Sequence, residues 1–343
     1  MHHPMRILIL GGTGNISTST TRQLIAAGHE TVLVNRGKRP AIPGATIINA
    51  DAKDESALTA AIAGQHFDAV INFIAFTPAD IERDARVFTG KCDQYIFISS
   101  ASVYQKPLAS HVVTESTPLV NPYWEYSRDK IAAEETCLRL LRGAGFPAVI
   151  VRPSLTYDTV IPTALGGWSD FTVVDRIKRG VPIVVHGDGT SLWTITHAED
   201  FSAALIGLLG NPATIGESFH ITSDEVLTWD EIYREIGRAV GTPTKIVHAP
   251  SDLVAAIEAW HRGGLHGDKA VSVVFDNAKI KRFVPGWHAK IPWRTGIRKT
   301  IAWYHADPTR IRIDANNNAF LDKIITAMTA AYTAIGKPLP ISS

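Results

Sequence analysis

The sequence predicts an α/β fold: a doubly wound parallel sheet followed by a smaller C-terminal α/β substrate-binding lobe. Three observations predict it. Short apolar runs alternate with helical patterns through the first half of the 343 residues. A glycine cluster closes the first of those runs. Beyond residue 155 the alternation loosens into short strands, helices and Pro/Gly-rich turns. Apolar runs buried on both faces and separated by helices indicate parallel strands joined by right-handed crossovers.

In chain order, RILIL (6–10) is the first strand and 14–27 the first helix. TVLVN (31–35) and TIINAD (46–51) are the next two strands, with a helix over 54–63. AVINFIAF (69–76) is the fourth strand, followed by a helix near 78–90. QYIFISS (94–100) is the fifth, 124–143 is a long helix, and AVIVRPS (148–154) is the sixth strand. Further helices are expected near 170–180, 198–209, 229–240 and 294–304. An apolar helix over 317–334 needs a surface to dock on, a partner subunit being one choice. The expected division is a nucleotide-binding domain over 5–160 and a lobe over 161–335 packed on the carboxyl ends of the strands. The boundary is soft, because late strands are free to return to the main sheet. The Gly-rich segment WHRGGLHGDK (260–269) reads as a flap over the pocket or a plain loop.

Hydrophobic residues make up 45% of the chain, enough for a proper core, and 34 basic against 33 acidic residues leave a net charge of +1. That balance argues against a general nucleic-acid binder. The apolar runs are strand-length, so no membrane span is expected. Cys92 and Cys137 stand in no redox or metal spacing, and the histidines show no metal-ligand pattern. With no secretory pattern at the N-terminus, a cytoplasmic protein is expected.

LILGGTGNIST places Gly11, Gly12 and Gly14 after the first strand and at the start of a helix. Glycines there let the backbone turn sharply and approach a pyrophosphate, which sits on the helix N-terminus. This is the pattern of a Rossmann-type dinucleotide site. Ser17 stands where the third glycine usually does, and serine is small enough for close packing to survive. At the end of the second strand, VNRGKR offers Asn35, Arg36, Lys38 and Arg39 and no carboxylate. A carboxylate would hold a ribose 2′-hydroxyl, whereas a guanidinium pairs a phosphate through two hydrogen bonds. The expected cofactor is NADP or NAD, with NADP preferred. Asp51, ending the third strand, either meets the adenine amino group or caps the next helix.

In YWEYSRDK, Tyr126 and Lys130 are four residues apart, one helical turn, and share a face. By itself this pair is either a reactive site or a solvated helix face. Context decides. The glycine loop, ISSASVY, Tyr126-x-x-x-Lys130, VRPSLTY, GDGTSLWTITHAED and PGW…WRTGIRKTIAWY follow one another in order from about residue 6 to 304. In these segments the chain resembles the extended short-chain dehydrogenase/reductase superfamily, in its NAD-dependent epimerase/dehydratase branch.

The resemblance implies Tyr126 as acid/base and Lys130 as the residue that binds the nicotinamide ribose and lowers the tyrosine pKa. It implies Ser100 as the hydroxyl that holds the reacting alcohol or carbonyl; Ser99 is its less favoured neighbour. The chemistry agrees: a base or acid within reach of the hydroxyl, a second donor on the oxygen, and a dinucleotide beside the carbon. The same reading puts Gly11, Gly12, Thr13, Gly14, Asn15, Ile16, Asn35, Arg36, Asp51, Ala52, Ala75, Ser99, Tyr126, Lys130 and Pro153 against the cofactor. It puts Phe76, Ser100, Tyr104, Trp124 and Trp193 on the substrate side, the aromatics being pocket walls or core.

Two departures bear on substrate. Enzymes of the dehydratase branch that eliminate water commonly carry Asp-Glu after the serine or threonine; here Ala101 and Ser102 stand there, so 4,6-dehydration is not expected. The arginine that related nucleotide-sugar enzymes use for a diphosphate corresponds to Trp193, and Ser154-Leu155 follows Arg152-Pro153 where asparagine is common. Arg176, Arg179, Lys281, Arg298, Arg310 and Arg312 are the remaining cations to replace it, surface charge being their plainer reading. His197 and Asp200, a further family feature, read as structural. The sequence thus supports two outcomes on a secondary alcohol or ketone of a sugar, nucleotide sugar or similar polyhydroxylated compound. One is epimerisation with retained NAD; the other is net carbonyl reduction with NADPH. A homodimer is expected from the resemblance. Plant chloroplast stem-loop RNA-binding proteins look like this family and share the NRG turn, so a non-catalytic cofactor- or RNA-binding protein is the alternative of another class. The absence of a basic stripe with interleaved aromatics counts against nucleic acid.

Overall fold

A computed structural model describes residues 3–37 and 40–342. Strands β1 (Arg6–Leu10), β2 (Glu30–Asn35), β3 (Thr46–Asn49), β4 (Ala69–Asn72) and β5 (Tyr95–Ile98) form a parallel sheet with Ala148–Pro153 and Ser218–Ile221. Seven strands run in the order Ser218–Ile221, Ala148–Pro153, β5, β4, β1, β2, β3. The chain starts in the middle at β1, builds outward to β3, then crosses over to β4. That reversal leaves a crevice at the carboxyl ends of β1 and β4, where ligands of open α/β sheets bind.

Alternation along β1 explains the two cores. Ile7 and Ile9 face one side, with Leu24 of helix α1 (Ser17–Ala26) and Phe201 of the helix Ala198–Gly207. Leu8 and Leu10 face the other, with residues of α2 (Glu55–Ala61), α3 (Pro78–Phe88) and α4 (Glu125–Ala144). All four β1 side chains are fully buried, which a strand covered on both faces requires.

The apolar run over 69–76 ends as a strand at Asn72 because that side chain turns the chain. Its Oδ1 accepts the backbone N–H groups of Ile74 (2.7 Å) and Ala75 (2.9 Å). The seventh strand comes from the second half, where Ser218–Ile221 pairs with Ile150–Pro153. A further core around Trp193, Trp229 and Trp293 joins the second half to Ala101, Tyr104 and Val113 of the first, and the two-stranded ribbon of Leu155–Tyr157 with Ile195–His197 contributes to it. The segment expected as a flap or loop is folded instead: an α-turn His261–Gly264 runs into a π-turn Leu265–Lys269. Gly263 and Gly267 lie so close to Trp124 that a Cβ at either would collide with it. Packing against one tryptophan thus converts a Gly-rich stretch into a fixed wall.

Candidate active site

The glycine loop lies between β1 and α1. Gly11 has φ +81°, and a Cβ there would strike Ile74. At Gly12 a Cβ would fall 2.6 Å from Leu33 Cδ2. Side chains at these two positions would collide with Ile74 and Leu33, so glycine keeps the tight turn. Ser17, buried in place of the third glycine, donates its hydroxyl to the Gly11 carbonyl (2.6 Å) and accepts the Gly14 N–H (2.8 Å). It closes the loop as well as fitting it. Ile16 at the N-cap makes no side-chain cap bond and no acidic residue follows in the first turn. The α1 N-terminus is thus left to an anion.

A cavity of about 450 Å³ opens from this loop, lined among others by Thr13, Asn35, Arg36, Asp51, Ala52 and Phe76. Its shape and donor set fit a dinucleotide's adenosine half. Asp51 is not a helix cap: Asp54 caps α2 by accepting Ala57 N–H. Asn35 Oδ1 accepts Gly37 N–H (2.9 Å). Lys38 and Arg39 lie outside the described residues. Asn15 is committed elsewhere: its amide donates to Thr156 O (3.0 Å) and its carbonyl accepts Asp158 N–H (2.9 Å), pinning the loop to the segment that follows the strand Ala148–Pro153.

Tyr126 and Lys130 stand one turn apart near the start of α4. Tyr126 is half-buried between Trp124 (ring centroids 4.9 Å) and Phe76 (6.3 Å), and it shares the lining of one cavity with Ser100. A chain of hydroxyls extends from Ser100: its Oγ lies 2.9 Å from Ser102 Oγ, which accepts from Ser127 Oγ at 2.8 Å. Lys130 is buried and donates to the carbonyls of Ala75 (2.7 Å) and Ile98 (2.8 Å), with its ammonium 5.9 Å from the Tyr126 ring centroid.

These surroundings set the protonation states. Burial raises the Tyr126 pKa, the Ser100 hydrogen bond opposes this, and the Asp268 carboxylate adds to it. The expected lowering by Lys130 is therefore not what this geometry gives; the ammonium is spent on two backbone carbonyls. Burial pushes Lys130 itself down to about 7 from an ordinary 10.5, against the pull of Glu134 and Asp80. Between those two values the unfolded chain holds a proton that the folded chain has released. Stability therefore rises with pH across that window, by an amount on the order of a few kcal/mol. Lys130→Met removes this rise. Urea unfolding of both proteins at neutral and alkaline pH checks it: wild type gains relative to the variant, and parallel curves would reject the assignment.

Ser99 points away from the reacting face and donates to Glu134 Oε1 (2.6 Å). Glu134 forms a buried pair with Arg152 (2.6 Å), which donates to Tyr104 Oη (3.2 Å). Tyr104 is 1% exposed and also bonded to His220, and Trp193 is 1% exposed and stacked on Trp229. The structure brings neither Tyr104 nor Trp193 to the site, since both fill the core. His197 caps the helix Ala198–Gly207, and Asp200 accepts Ile291 N–H, both structural tasks.

What lies before Ser100 and Tyr126 is a cavity of about 590 Å³, walled by Trp124, Pro153, Trp168, Trp260, His261 and Leu265. Asp170, Asp268, Asp314 and Lys269 supply its charge. None of the six cations expected to replace a diphosphate arginine is on its lining. The segments near 168 and 314 were invisible as site residues in the sequence, because no local spacing links them; the segment 260–269, read as a flap over the pocket or a loop, supplies part of the lining.

A sequence model of the NAD dependent epimerase/dehydratase family matches residues 7–222. The chain belongs to that family. Among curated relatives of this epimerase/dehydratase chain, 2'-dehydrokanamycin reductase of Streptomyces kanamyceticus is 31% identical over 290 residues, 83% of this chain and 81% of its own. Chloroplast stem-loop binding protein of 41 kDa b from Arabidopsis thaliana is 27% identical over 260 residues, 71% of this chain and 65% of its own. The dTDP-glucose 4,6-dehydratase of Streptomyces venezuelae, solved with NAD and TYD bound, shares the fold at a TM-score of 0.71 and 20% identity, over 90% of this chain and 99% of its own. The fold is thus the Rossmann-type fold of the extended short-chain dehydrogenase/reductases, and the family is one of NAD-dependent enzymes. No helix among the described residues is long and apolar enough to cross a membrane.

Proposed function

We propose that the chain is an NADP(H)-dependent oxidoreductase. It interconverts a ketone and a secondary alcohol on a sugar-like compound that lacks a nucleoside diphosphate. The observation that carries this is that Ser100 and Tyr126 share the lining of the 590 Å³ cavity. The dinucleotide, when bound, supplies or takes the hydride. Gly11, Gly12 and the α1 N-terminus would hold its pyrophosphate, and Lys130 its nicotinamide ribose. Tyr126 then gives its proton to the carbonyl oxygen, and Ser100 donates a second hydrogen bond to the same oxygen. A tyrosine whose pKa is raised rests as the phenol, the protonation state a carbonyl reduction needs in its acid.

Three further observations support this reading over dehydration or epimerisation of a nucleotide sugar. Ala101 and Ser102 supply no carboxylate for elimination. No arginine among the described residues lines the cavity to clamp a diphosphate. The 31%-identical relative is a reductase by name. The stem-loop binder among the relatives favours nucleic acid, but a cavity with three carboxylates does not suit a polyanion.

The test is consumption of NADPH with a panel of keto sugars, in wild type and in Arg36→Ala. Wild type consumes NADPH. Arg36→Ala raises the KM for NADPH at least about tenfold, as loss of a charged hydrogen-bond partner does, and leaves NADH little changed. Equal effects on both nucleotides would reject the phosphate role of Arg36. Stoichiometric NAD released on denaturation, with isomerisation of a sugar and no net NADPH loss, would overturn the reductase in favour of an epimerase.

A further inference from the structure

The charge of the substrate cavity is the feature that the reaction leaves unexplained. Its lining carries three carboxylates, Asp170, Asp268 and Asp314, against one ammonium, Lys269. Lys269 is already paired with Asp268 at 3.0 Å, so the surplus is negative. Asp170 and Asp314 face no cation among the described residues. Their hydrogen bonds leave acceptor capacity: Asp170 takes one N–H on each oxygen, and both bonds to Asp314 fall on Oδ1.

Independent of these carboxylates, His261 on the same lining is 6% exposed, and its Nε2 has no hydrogen-bond partner among the described residues. Burial pushes this imidazole down to about 4, with Glu258 opposing, so it is neutral at physiological pH and adds no positive charge. Glu258 Oε2 stands 3.9 Å from this nitrogen, beyond hydrogen-bond reach, so the ring nitrogen keeps its hydrogen-bonding capacity for a polar ligand group. The mouth adds Trp168 (39% exposed) and Trp260 (73% exposed). Exposed indoles suit sugar C–H faces and attract cations.

A metal ion is the other cation that acidic walls attract. No group of three His, Cys, Asp or Glu among the described residues is close enough to hold one. The carboxylates are spread over three segments of the wall, so they suit separate charges on one larger molecule. A phosphate group here would meet net repulsion, about 1 kcal/mol per like-charge pair at 4 Å even in water.

We propose that the cavity selects an amino-bearing, cationic polyhydroxylated substrate, with Asp170 and Asp314 as ammonium acceptors and His261 Nε2 as a partner for a neighbouring hydroxyl or amine. This rests on the reading of the cavity as the substrate site of an oxidoreductase and adds the charge of the substrate. Asp268 lies nearest the chemistry, because its charge already acts on Tyr126.

The experiment is calorimetric binding to the NADP-loaded protein with three probes: tobramycin, a polyamino sugar; maltotriose, a neutral one; and UDP-glucose, an anionic one. Tobramycin binds and the other two bind at least about tenfold more weakly, as loss of charge-assisted hydrogen bonds requires. Asp170→Asn combined with Asp314→Asn lowers tobramycin affinity at least about tenfold. Both asparagines keep the acceptor oxygen that caps the local turn, so the fold is retained. Asp252→Asn, whose carboxylate is 94% exposed and outside the cavity, leaves binding unchanged. Equal loss in Asp252→Asn would reduce the effect to general attraction of a polycation and overturn the proposal, as would maltotriose binding as tightly as tobramycin. If keto sugars are reduced without regard to amino groups, the oxidoreductase stands and the charge selectivity falls. If tobramycin binding depends on Asp170 and Asp314 but no ketone is reduced, the selectivity stands and the oxidoreductase falls.

Discussion

Tyr126→Phe lowers turnover by at least about a hundredfold while leaving nucleotide affinity unchanged, the scale expected for a general acid. The substitution removes one oxygen. The ring stays between Trp124 and Phe76, and Lys130 keeps its bonds to Ala75 and Ile98. What is lost is the phenol hydroxyl beside Ser100 on the cavity lining. Fluorescence titration with NADPH and single-turnover kinetics separate the two effects. Turnover within a few-fold of wild type would remove Tyr126 from the mechanism.

Glu134→Ala destabilises the fold by about 3–5 kcal/mol, the usual loss on breaking a buried ion pair. The side chains of Arg152 and Glu134 are 4% and 2% exposed. Glu134 accepts from Arg152 Nε and Nη2 and from the Ser99 hydroxyl. Without the carboxylate, the guanidinium is left in the core with only the Tyr104 hydroxyl and the Glu115 carbonyl to satisfy it. Glu134→Leu with Arg152→Met restores much of the loss, because no uncompensated charge remains. Guanidinium unfolding of the single and double variants checks this, and a single-variant loss under about 1 kcal/mol would show that the pair matters little. The pair also supports the site indirectly. Ser99 is held by Glu134, and Ser100 follows it.

Several expectations hold residue by residue, and others fail for identifiable reasons. The first five strands and four helices were legible because apolar alternation and helical spacing are local patterns. The glycine loop was legible for the same reason, although the double hydrogen bond of Ser17 was not. The run over 69–76 read as one long strand, since its composition hides the turn that the Asn72 side chain imposes. The segment 260–269 read as a loop or flap, since its glycines are explained only by the contact with Trp124.

The aromatic residues show the limit most plainly. Trp124, Tyr104 and Trp193 read alike in the sequence, as pocket walls or core. Trp124 lines the cavity, whereas Tyr104 and Trp193 are sealed behind it by His220 and Trp229. The order of elements, the nucleotide loop and the Tyr126–Lys130 spacing are properties of short windows, so the chain alone reveals them. Which carboxylates face the substrate, and whether Lys130 acts on Tyr126 or on two backbone carbonyls, depends on side chains brought together from distant segments. Burial and hydrogen bonding at that convergence set both the charge of the cavity and the proton affinity of its tyrosine, and neither quantity is written in any local stretch of residues.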